Sequence, residues 1–172
     1  FPTIRFVMES LHPALQLIDT PTKWDRRFFA LAHLIGSWSE DKSRQIGSVI
    51  VGPAKEVRSV GFNGLPRGIS ADVEHRHSKE NGEKYYWFEH AERNAVYNAA
   101  RVGIATVGCE MYCTLFPCSD CLRAIVQSGL STLNTYAPPE RDSYFQRSFE
   151  VSLEIAKEAG LSIRVFDPGS IK

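Results

Sequence analysis

The hydrophobic positions of the chain recur at two spacings, one typical of helices and one typical of strands. A capping-box sequence at Thr22–Asp25 precedes apolar residues at helical spacing, which predicts a first helix. Later apolar stripes predict a helix after His90, a helix over Cys118–Ser128 and a last helix that ends at Gly160. The apolar stripe of the first helix comprises Trp24, Phe28, Leu31, Ala32 and Ile35.

Five short runs rich in β-branched and aromatic residues predict strands, and a Gly/Pro turn between the first two is typical of a hairpin. The polar stretch between Asn63 and Trp87 is too hydrophilic to form core. Because the later strands alternate with helices, we expect parallel β-α-β units with right-handed crossovers. We therefore predict an α/β fold with three layers, α/β/α, around a mixed five-stranded sheet. The predicted strands are Gln45–Val51, Arg58–Phe62, Glu110–Leu115, Ser131–Tyr136 and Ser162–Phe166.

The length of 172 residues corresponds to about one domain. A chain of this length buries roughly 70% of its unfolded surface, so its core needs no disulfide or metal for stability. The sequence contains no internal repeat, low-complexity tract or linker-like stretch. We expect residues 1–20 to form a short N-terminal arm and residues 21–172 to form a single domain.

Composition and charge exclude several classes of protein. Hydrophobic residues make up 43% of the chain and charged residues 23%, which excludes a disordered or collagen-like chain. Twenty Lys and Arg residues balance twenty Asp and Glu residues, so the bulk charge indicates neither a nucleic-acid partner nor a membrane partner. No apolar run approaches the ~18 residues of a transmembrane helix, and no signal-peptide n-region precedes an apolar stretch.

The cysteines of the chain are clustered. All four lie in the thirteen residues from Cys109 to Cys121. A disulfide framework would distribute its bridges along the chain, so the clustering indicates metal or redox chemistry in a reducing compartment. We therefore expect a cytoplasmic protein.

Two short segments carry the candidate chemistry, and each begins a predicted helix: His-Ala-Glu at 90–92 and Pro-Cys-Ser-Asp-Cys at 117–121. Imidazole and thiolate are ligands that Zn²⁺ prefers, and three protein ligands leave its fourth position open for water. His90, Cys118 and Cys121 are therefore candidate zinc ligands. Glu92 is not needed as a ligand, and a carboxylate beside a metal-activated water suits a general base. H-x-E followed by P-C-x-x-C is the known signature of zinc nucleobase deaminases.

Other interpretations of the cysteines stay open. The Cys-x-x-Cys pair alone is also typical of a thioredoxin-like redox site, although the fold pattern of that family is missing around it. A structural zinc knot of all four cysteines is a second alternative, but Cys109 and Cys113 flank or lie within a strand that aims them poorly at one ion. The corresponding non-enzyme hypothesis is a zinc-stabilised binding module, and it gives Glu92 no structural reason to lie at a metal.

From Trp24 to Phe166 the chain resembles the deoxycytidylate (dCMP) deaminase family of the cytidine deaminase-like superfamily. The zinc motifs indicate the superfamily, and the Gly61–Gly68 segment together with the Asn-Ala pair after His-Ala-Glu favours the dCMP branch. The resemblance implies the cytidine deaminase-like fold. The segments that carry it are Trp38–Asp41, Gln45–Val51, Gly61–Gly68, His90–Ala95 and Met111–Cys121.

The resemblance also implies an activity, the zinc-dependent hydrolysis of dCMP to dUMP and ammonia. In this activity His90, Cys118 and Cys121 bind zinc. Glu92 takes a proton from water, delivers it to N3 of cytosine and protonates the departing amine. One competing activity is deamination of another free base or nucleoside. A second is deamination of tRNA or single-stranded nucleic acid, and the balanced charge of the chain gives no support to this second activity.

A nucleotide substrate needs contacts to its sugar and its 5′-phosphate. The resemblance assigns Asn63 to the sugar, and the alternative is a turn asparagine beside Gly64. Candidate phosphate ligands are Arg44, Ser39 and Arg67. Arg44 stands where relatives often carry a small hydroxyl residue, so a solvated surface position is its alternative, as it is for Arg67 after a proline.

Further expectations concern partners and flanking residues. The family is often hexameric and regulated by dCTP and dTTP, so we expect a homo-oligomer with these nucleotides as candidate allosteric partners. No cysteine lies near His75 and His77, which favours a polar loop over a second zinc site. Trp87 and Phe116 flank the motifs, where they suit either base stacking or core packing.

Overall fold

The structure, a computed structural model, describes residues 15–139 and 144–171. No helix in these two ranges combines the length and the apolarity that crossing a membrane requires. The strands are β1 (Leu15–Ile18), β2 (Gly47–Val51), β3 (Val57–Phe62), β4 (Glu110–Cys113), β5 (Thr132–Tyr136) and β6 (Ser162–Phe166). The helices are α1 (Lys23–Gly36), α2 (Lys84–Trp87), α3 (Ala91–Val102), α4 (Ser119–Gln127) and α5 (Gln146–Ala159). Short 3₁₀ turns are Glu74–His77, Glu80–Gly82 and Pro168–Ser170.

The strands form one mixed sheet in the order β1-β6-β5-β4-β2-β3. Strand β2 pairs antiparallel with β3 and with β4. The pairs β4–β5, β5–β6 and β1–β6 are parallel. The predicted hairpin and the predicted parallel β-α-β units are therefore confirmed.

The predicted strand number is wrong by one, because the sheet has six described strands instead of five. The additional strand is β1, which lies within the predicted arm (residues 1–20) and pairs with β6, Leu15 opposite Ile163. A four-residue run carries a weak local signal, and an edge strand is defined by its partner, which here is distant in sequence. Residues 1–14 of the predicted arm lie outside the described residues.

Helices cover both faces of the sheet, which confirms the three-layer α/β/α prediction. Side chains alternate along β4, so that Met111 and Cys113 join the hydrophobic cluster beneath α3, α4 and α5, whereas Tyr112 joins the cluster beneath α1. From α1 this second cluster receives Phe28 and Phe29, both buried. The three helices on the opposite face contribute Ala95, Leu122, Ile125, Phe149 and Ala156 to the first cluster.

Two glycines let helices approach the sheet closely. A Cβ at Gly47 of β2 would lie 1.8 Å from the carbonyl oxygen of Ala32 in α1, and a Cβ at Gly61 of β3 would lie 2.4 Å from that of Ala91 in α3. Real Cβ contacts essentially never fall below 3.0 Å, so neither position has room for a side chain. The contact at Gly61 holds the first turn of α3 against β3.

Asp25 connects α1 to the sheet. Its N–H donates to Thr22 Oγ1 at 3.2 Å while its carboxylate accepts from the Thr22 N–H at 2.8 Å, which confirms the capping box. The same carboxylate accepts from the Tyr112 hydroxyl at 2.8 Å and from the Arg164 guanidinium at 2.8 and 3.1 Å. Burial alone would raise the pKa of Asp25, but Arg164, Thr22 and Tyr112 together lower it to about 2.

We expect acid to destabilise the protein through Asp25. Its folded-state pKa of about 2 lies below the ordinary 3.8, so its contribution to stability is present above about pH 4 and is lost as the pH falls toward about 2. The difference corresponds to roughly 2 kcal/mol. The free energy of unfolding, measured by urea denaturation across this range, should therefore fall less steeply toward acid in Asp25→Asn than in the wild type. Equal slopes would contradict this role.

Candidate active site

The three predicted metal ligands meet at the starts of two helices. His90 is the N-cap residue of α3, Cys118 is the N-cap residue of α4, and Cys121 lies in the first turn of α4. His90 Nδ1 lies 3.4 Å from the Sγ of each cysteine. The ligand atoms of all three residues lie within 4.8 Å of one another, and no other such group occurs among the residues that the structure describes.

This arrangement fits a tetrahedral zinc ion. Bonds of ~2.3 Å to sulfur and ~2.0–2.1 Å to nitrogen place the two ligand atoms about 3.6 Å apart, close to the observed 3.4 Å. Hydrogen bonding to Cys121, and further to His90, lowers the pKa of Cys118 to about 4 despite its burial. Because metal binding requires a thiolate, the lowered pKa of Cys118 favours it. Burial and the hydrogen bond with Cys118 raise the pKa of Cys121, so the thiol of Cys121 would lose its proton on metal binding.

The other two cysteines lie outside this group. Cys109 and Cys113 are fully buried and belong to the hydrophobic cluster beneath α3, α4 and α5. Burial raises the pKa of the Cys113 thiol well above its usual value, which keeps it neutral. A four-cysteine knot therefore has no support in the described part of the chain.

Glu92 lies in the first turn of α3 and is only 4% exposed. It lines the same cavity as His90 and Cys118. Burial raises the pKa of its carboxyl group above the ordinary value for glutamate. A buried carboxyl group with a raised pKa, beside a candidate metal site, suits general acid–base catalysis.

The ligand group borders a cavity of about 380 Å³. This volume falls within the range of ~300–1,000 Å³ that is common for small-molecule sites. Aromatic side chains form part of its wall. The ring of Phe145 lies edge-on to His90 with 6.0 Å between centroids, and Tyr85 stacks on Tyr144 at 4.1 Å.

The flanking aromatic residues and histidines have different environments. Phe116 is 1% exposed, which supports core packing. It also borders the cavity, so base stacking by its ring stays a prediction. The Trp87 indole N–H donates to the Glu83 carboxylate at 2.8 Å. The His75 ring lies edge-on to the Trp87 ring, with 5.8 Å between the ring centroids. The ring of His77 packs against Phe88 at 5.3 Å. Neither histidine belongs to the metal-ligand group found among the described residues.

The cavity lining includes three cationic side chains, Arg44, Lys79 and Lys84. Lys84 is buried; its Nζ lies 2.5 Å from Asp41 Oδ2 and donates to Ser43 Oγ at 2.7 Å. Burial would raise the pKa of Asp41, but hydrogen bonds from Lys84 and Ser43 lower it. No sequence pattern points to the two lysines, because the surrounding stretch has the composition of a solvated loop.

Asn63 uses its amide group within the protein. Nδ2 donates to Asp41 Oδ2 at 3.0 Å and to the Arg44 carbonyl at 2.8 Å, while Oδ1 accepts from the Ile46 N–H at 2.8 Å. The side chain thus holds the loop between α1 and β2 against the end of β3. Asn63 also lines the cavity, so a sugar contact through the second lone pair of Oδ1 stays a prediction.

The three candidate phosphate ligands are not brought together. Arg44 lines the cavity, whereas Ser39 and Arg67 are absent from its described lining. Ser39 is buried, and its Oγ donates to the Asn63 carbonyl at 2.6 Å. Arg67 is exposed and donates from Nη2 to Asn98 Oδ1 at 2.6 Å. Ser39 therefore supports the cavity wall from behind, and Arg67 contacts the surface of α3.

A backbone bridge holds the entry into α3. The Gly64 N–H donates to the Glu89 carbonyl at 3.0 Å, and the Glu89 N–H donates to the Gly64 carbonyl at 2.8 Å. The glycine-rich segment at 61–68 is thereby connected directly to the residue before His90. The segment contributes to the geometry of the metal site even without touching a ligand.

Comparison with known proteins assigns this site to a family. The family model for the cytidine and deoxycytidylate deaminase zinc-binding region matches residues 22–137. The chain belongs to this family. It is a hydrolytic deaminase, and its predicted resemblance to the dCMP deaminases is confirmed.

Sequence similarity to proteins of distantly related organisms covers most of the chain. A protein of Aliivibrio fischeri, named as an uncharacterized deaminase in the luxG 3′ region, is 39% identical over 145 residues, which cover 83% of this chain and 92% of that protein. The deoxycytidylate deaminase of Mus musculus is 33% identical over 153 residues, covering 87% and 83%. The dCMP deaminase of cyanophage S-TIM5, solved with dCMP and dUMP, shares the fold with a TM-score of 0.68 at 22% identity, over 85% of this chain and 99% of that chain.

We expect the purified deaminase to carry one equivalent of a thiolate-binding metal ion per chain. Cys118→Ser should lose the ion, because the site needs ligands from both helix starts. The matched control, Cys109→Ala combined with Cys113→Ala, should retain it despite the smaller core side chains. Mass-spectrometric metal analysis of the folded variants tests both expectations. Loss of metal from the double variant would favour the four-cysteine knot.

Proposed function

We propose that this deaminase hydrolyses dCMP to dUMP and ammonia with zinc as its metal. The observation that carries the proposal is a buried Glu92 in the same cavity as the His90, Cys118 and Cys121 group. The similarity to the mouse deoxycytidylate deaminase supports a cytosine nucleotide as the substrate. The cavity volume of about 380 Å³ suits a ligand of nucleotide size.

His90, Cys118 and Cys121 would hold the zinc ion. When bound, zinc supplies Lewis acidity that makes water nucleophilic near neutral pH. Two thiolates and one neutral imidazole together balance the charge of a divalent ion. The cysteines lie at the N-terminal end of α4, where the helix dipole and unpaired N–H groups stabilise thiolates.

Glu92 moves the protons of the reaction. It accepts a proton from water as the water oxygen adds to C4 of the cytosine ring, and it delivers that proton to N3. It then transfers the remaining water proton to the amine, so that the C4–N bond breaks and ammonia leaves. One water enters and one ammonia leaves, so the reaction needs no redox partner. The burial of Glu92 keeps bulk water away from these transfers.

Arg44 is the proposed phosphate contact, and Asn63 the proposed sugar contact. Arg44 lines the cavity together with Lys79 and Lys84, so this wall offers positive charge to a 5′-phosphate. Lys84 is buried and paired with Asp41. The side chains of Arg44 and Lys79 lie at the exposed edge of the cavity. An arginine can bind a phosphate through two parallel charge-assisted hydrogen bonds.

A homo-oligomer, and regulation by dCTP and dTTP, stay predictions from the family resemblance.

Replacement of Glu92 by Gln should preserve the fold and the metal but lower kcat by ~10²–10⁴-fold, because an amide cannot relay protons. Ammonia release from saturating dCMP, measured beside metal content, tests this expectation. Glu80→Gln, at an exposed position in a 3₁₀ turn, is the control and should match the wild type. If Glu92→Gln kept more than about a tenth of the wild-type kcat, the proton-transfer role would be wrong.

Deamination should depend on the 5′-phosphate. We expect the wild type to act far better on dCMP than on deoxycytidine at equal concentration. Arg44→Ala should lower kcat/KM for dCMP roughly 10- to 100-fold, since a hydrogen bond to a charged group contributes ~1.5–3 kcal/mol, and should leave the value for deoxycytidine unchanged.

Lys42→Ala removes an exposed cation near Arg44 that pairs with Glu74, and it serves as the matched control. It should leave both substrates unaffected. Equal efficiency on deoxycytidine and dCMP in the wild type would overturn the nucleotide assignment, while the deaminase chemistry would stand.

A further inference from the structure

A chain of ion pairs connects the two helix starts that supply the metal ligands. Arg93, in the first turn of α3, donates from Nε to Glu89 Oε1 at 2.5 Å. Its Nη1 lies 3.5 Å from Asp120 Oδ2, in the first turn of α4. Glu89 directly precedes the histidine ligand, and Asp120 lies between the two cysteine ligands. We refer to Glu89, Arg93 and Asp120 as the clamp.

The Glu89 end of the clamp is held at several points. Glu89 Oε1 also accepts from the backbone N–H of His90 at 2.9 Å. The Glu89 backbone is bridged in both directions to Gly64 at the end of β3. The side chains of Glu89 and Arg93 are 23% and 20% exposed, so water competes only partly for their ion pair. The position of the Arg93 guanidinium is therefore coupled to the backbone of the histidine ligand.

The Asp120 end of the clamp is more open. The Asp120 side chain is 54% exposed and pairs also with Arg123, three residues further along α4. The helix dipole stabilises a carboxylate in the first turn of a helix, so it also stabilises Asp120 independently of Arg93. The contact with Arg93 adds a connection between α4 and α3 at the level of the ligands.

An arginine is suited to this place for two reasons. Its planar guanidinium presents several donors in fixed directions, so it can contact one carboxylate on each helix, whereas a lysine presents a single compact charge. It also keeps its positive charge at all relevant pH values, so its contacts with the two carboxylates do not depend on its own protonation. The proposed reaction assigns no proton transfer or substrate contact to Arg93.

We propose that Arg93 is a positioning residue of the metal centre, holding the histidine and the cysteine pair at metal-binding separation before the ion arrives. The inference rests on the zinc site of the proposed function. Partners in the outer shell of a metal site typically change metal affinity by ~10- to 100-fold, and we expect an effect of this size here.

The test compares zinc affinity among variants of the full chain. Arg93→Met keeps the length of the side chain but removes the donors, Arg93→Lys keeps the charge but not the fork, and Arg123→Met removes the other arginine that pairs with Asp120. The zinc dissociation constant is measured by competition with a chromophoric chelator at fixed pH, and the thermal midpoint of each apoprotein is measured in parallel.

We expect Arg93→Met to raise the zinc dissociation constant ~10- to 100-fold. The dissociation constant of Arg93→Lys should lie between those of Arg93→Met and the wild type. Arg123→Met should have the wild-type dissociation constant. Because a general loss of stability would lower the apoprotein midpoint in proportion, weaker zinc binding at an unchanged midpoint identifies positioning. If Arg93→Met does not fold, Asp120→Asn replaces it. This exposed change removes the α4 end of the clamp together with the Asp120–Arg123 ion pair, and Arg123→Met controls for the loss of that pair.

Two results would overturn the inference: zinc binding by the folded Arg93 or Asp120 variant as tight as in the wild type, or an equal loss of affinity in Arg123→Met. These results leave the proposed function intact if the wild type binds zinc and deaminates dCMP. A wild-type protein that does not bind zinc would overturn the proposed function and the clamp together.

Discussion

The close contact between α3 and Gly61 of β3 governs the geometry of the site. A side chain at Gly61 would push α3 off the sheet, and the histidine ligand and Glu92 would move with it. The cysteine ligands lie on α4, which follows a different strand, so a displacement of α3 would change their separation from the histidine. Metal coordination tolerates deviations of only about 0.2 Å in its bond lengths, so one missing Cβ is a condition for the whole ligand set.

Burial gives the acidic residues of this fold different tasks. Asp25 and Asp41 are both buried, yet each is surrounded by donors that lower its pKa and keep it charged, so each acts as a fixed anchor. Glu92 is equally buried, but in its case desolvation dominates and its pKa rises. The same kind of carboxyl group therefore serves structure in two places and suits proton exchange in the third.

Features encoded by neighbouring residues were predictable from the sequence, and features formed by distant residues were not. The capping box at Thr22, the hairpin and the two ligand motifs each depend on residues close together in the chain, so local sequence predicts them. Strand β1 depends on β6, and the internal hydrogen bonds of Asn63 depend on the loop before β2. The burial of Lys84 could not be predicted from the residues around it. Its charge is compensated by Asp41, which lies far from it along the chain.

The division of the ligand set between two chain segments has a consequence for folding. The histidine follows the β2–β3 hairpin, and the cysteines follow β4, so each helix start can form from contacts within its own segment. In an unfolded chain only the Cys-x-x-Cys pair presents two neighbouring ligands. A metal ion encountered early would therefore be held by two sulfurs, and the imidazole would join only when α3 docks beside α4. In this arrangement the proposed metal site would be complete only after the sheet has brought the two helix starts together.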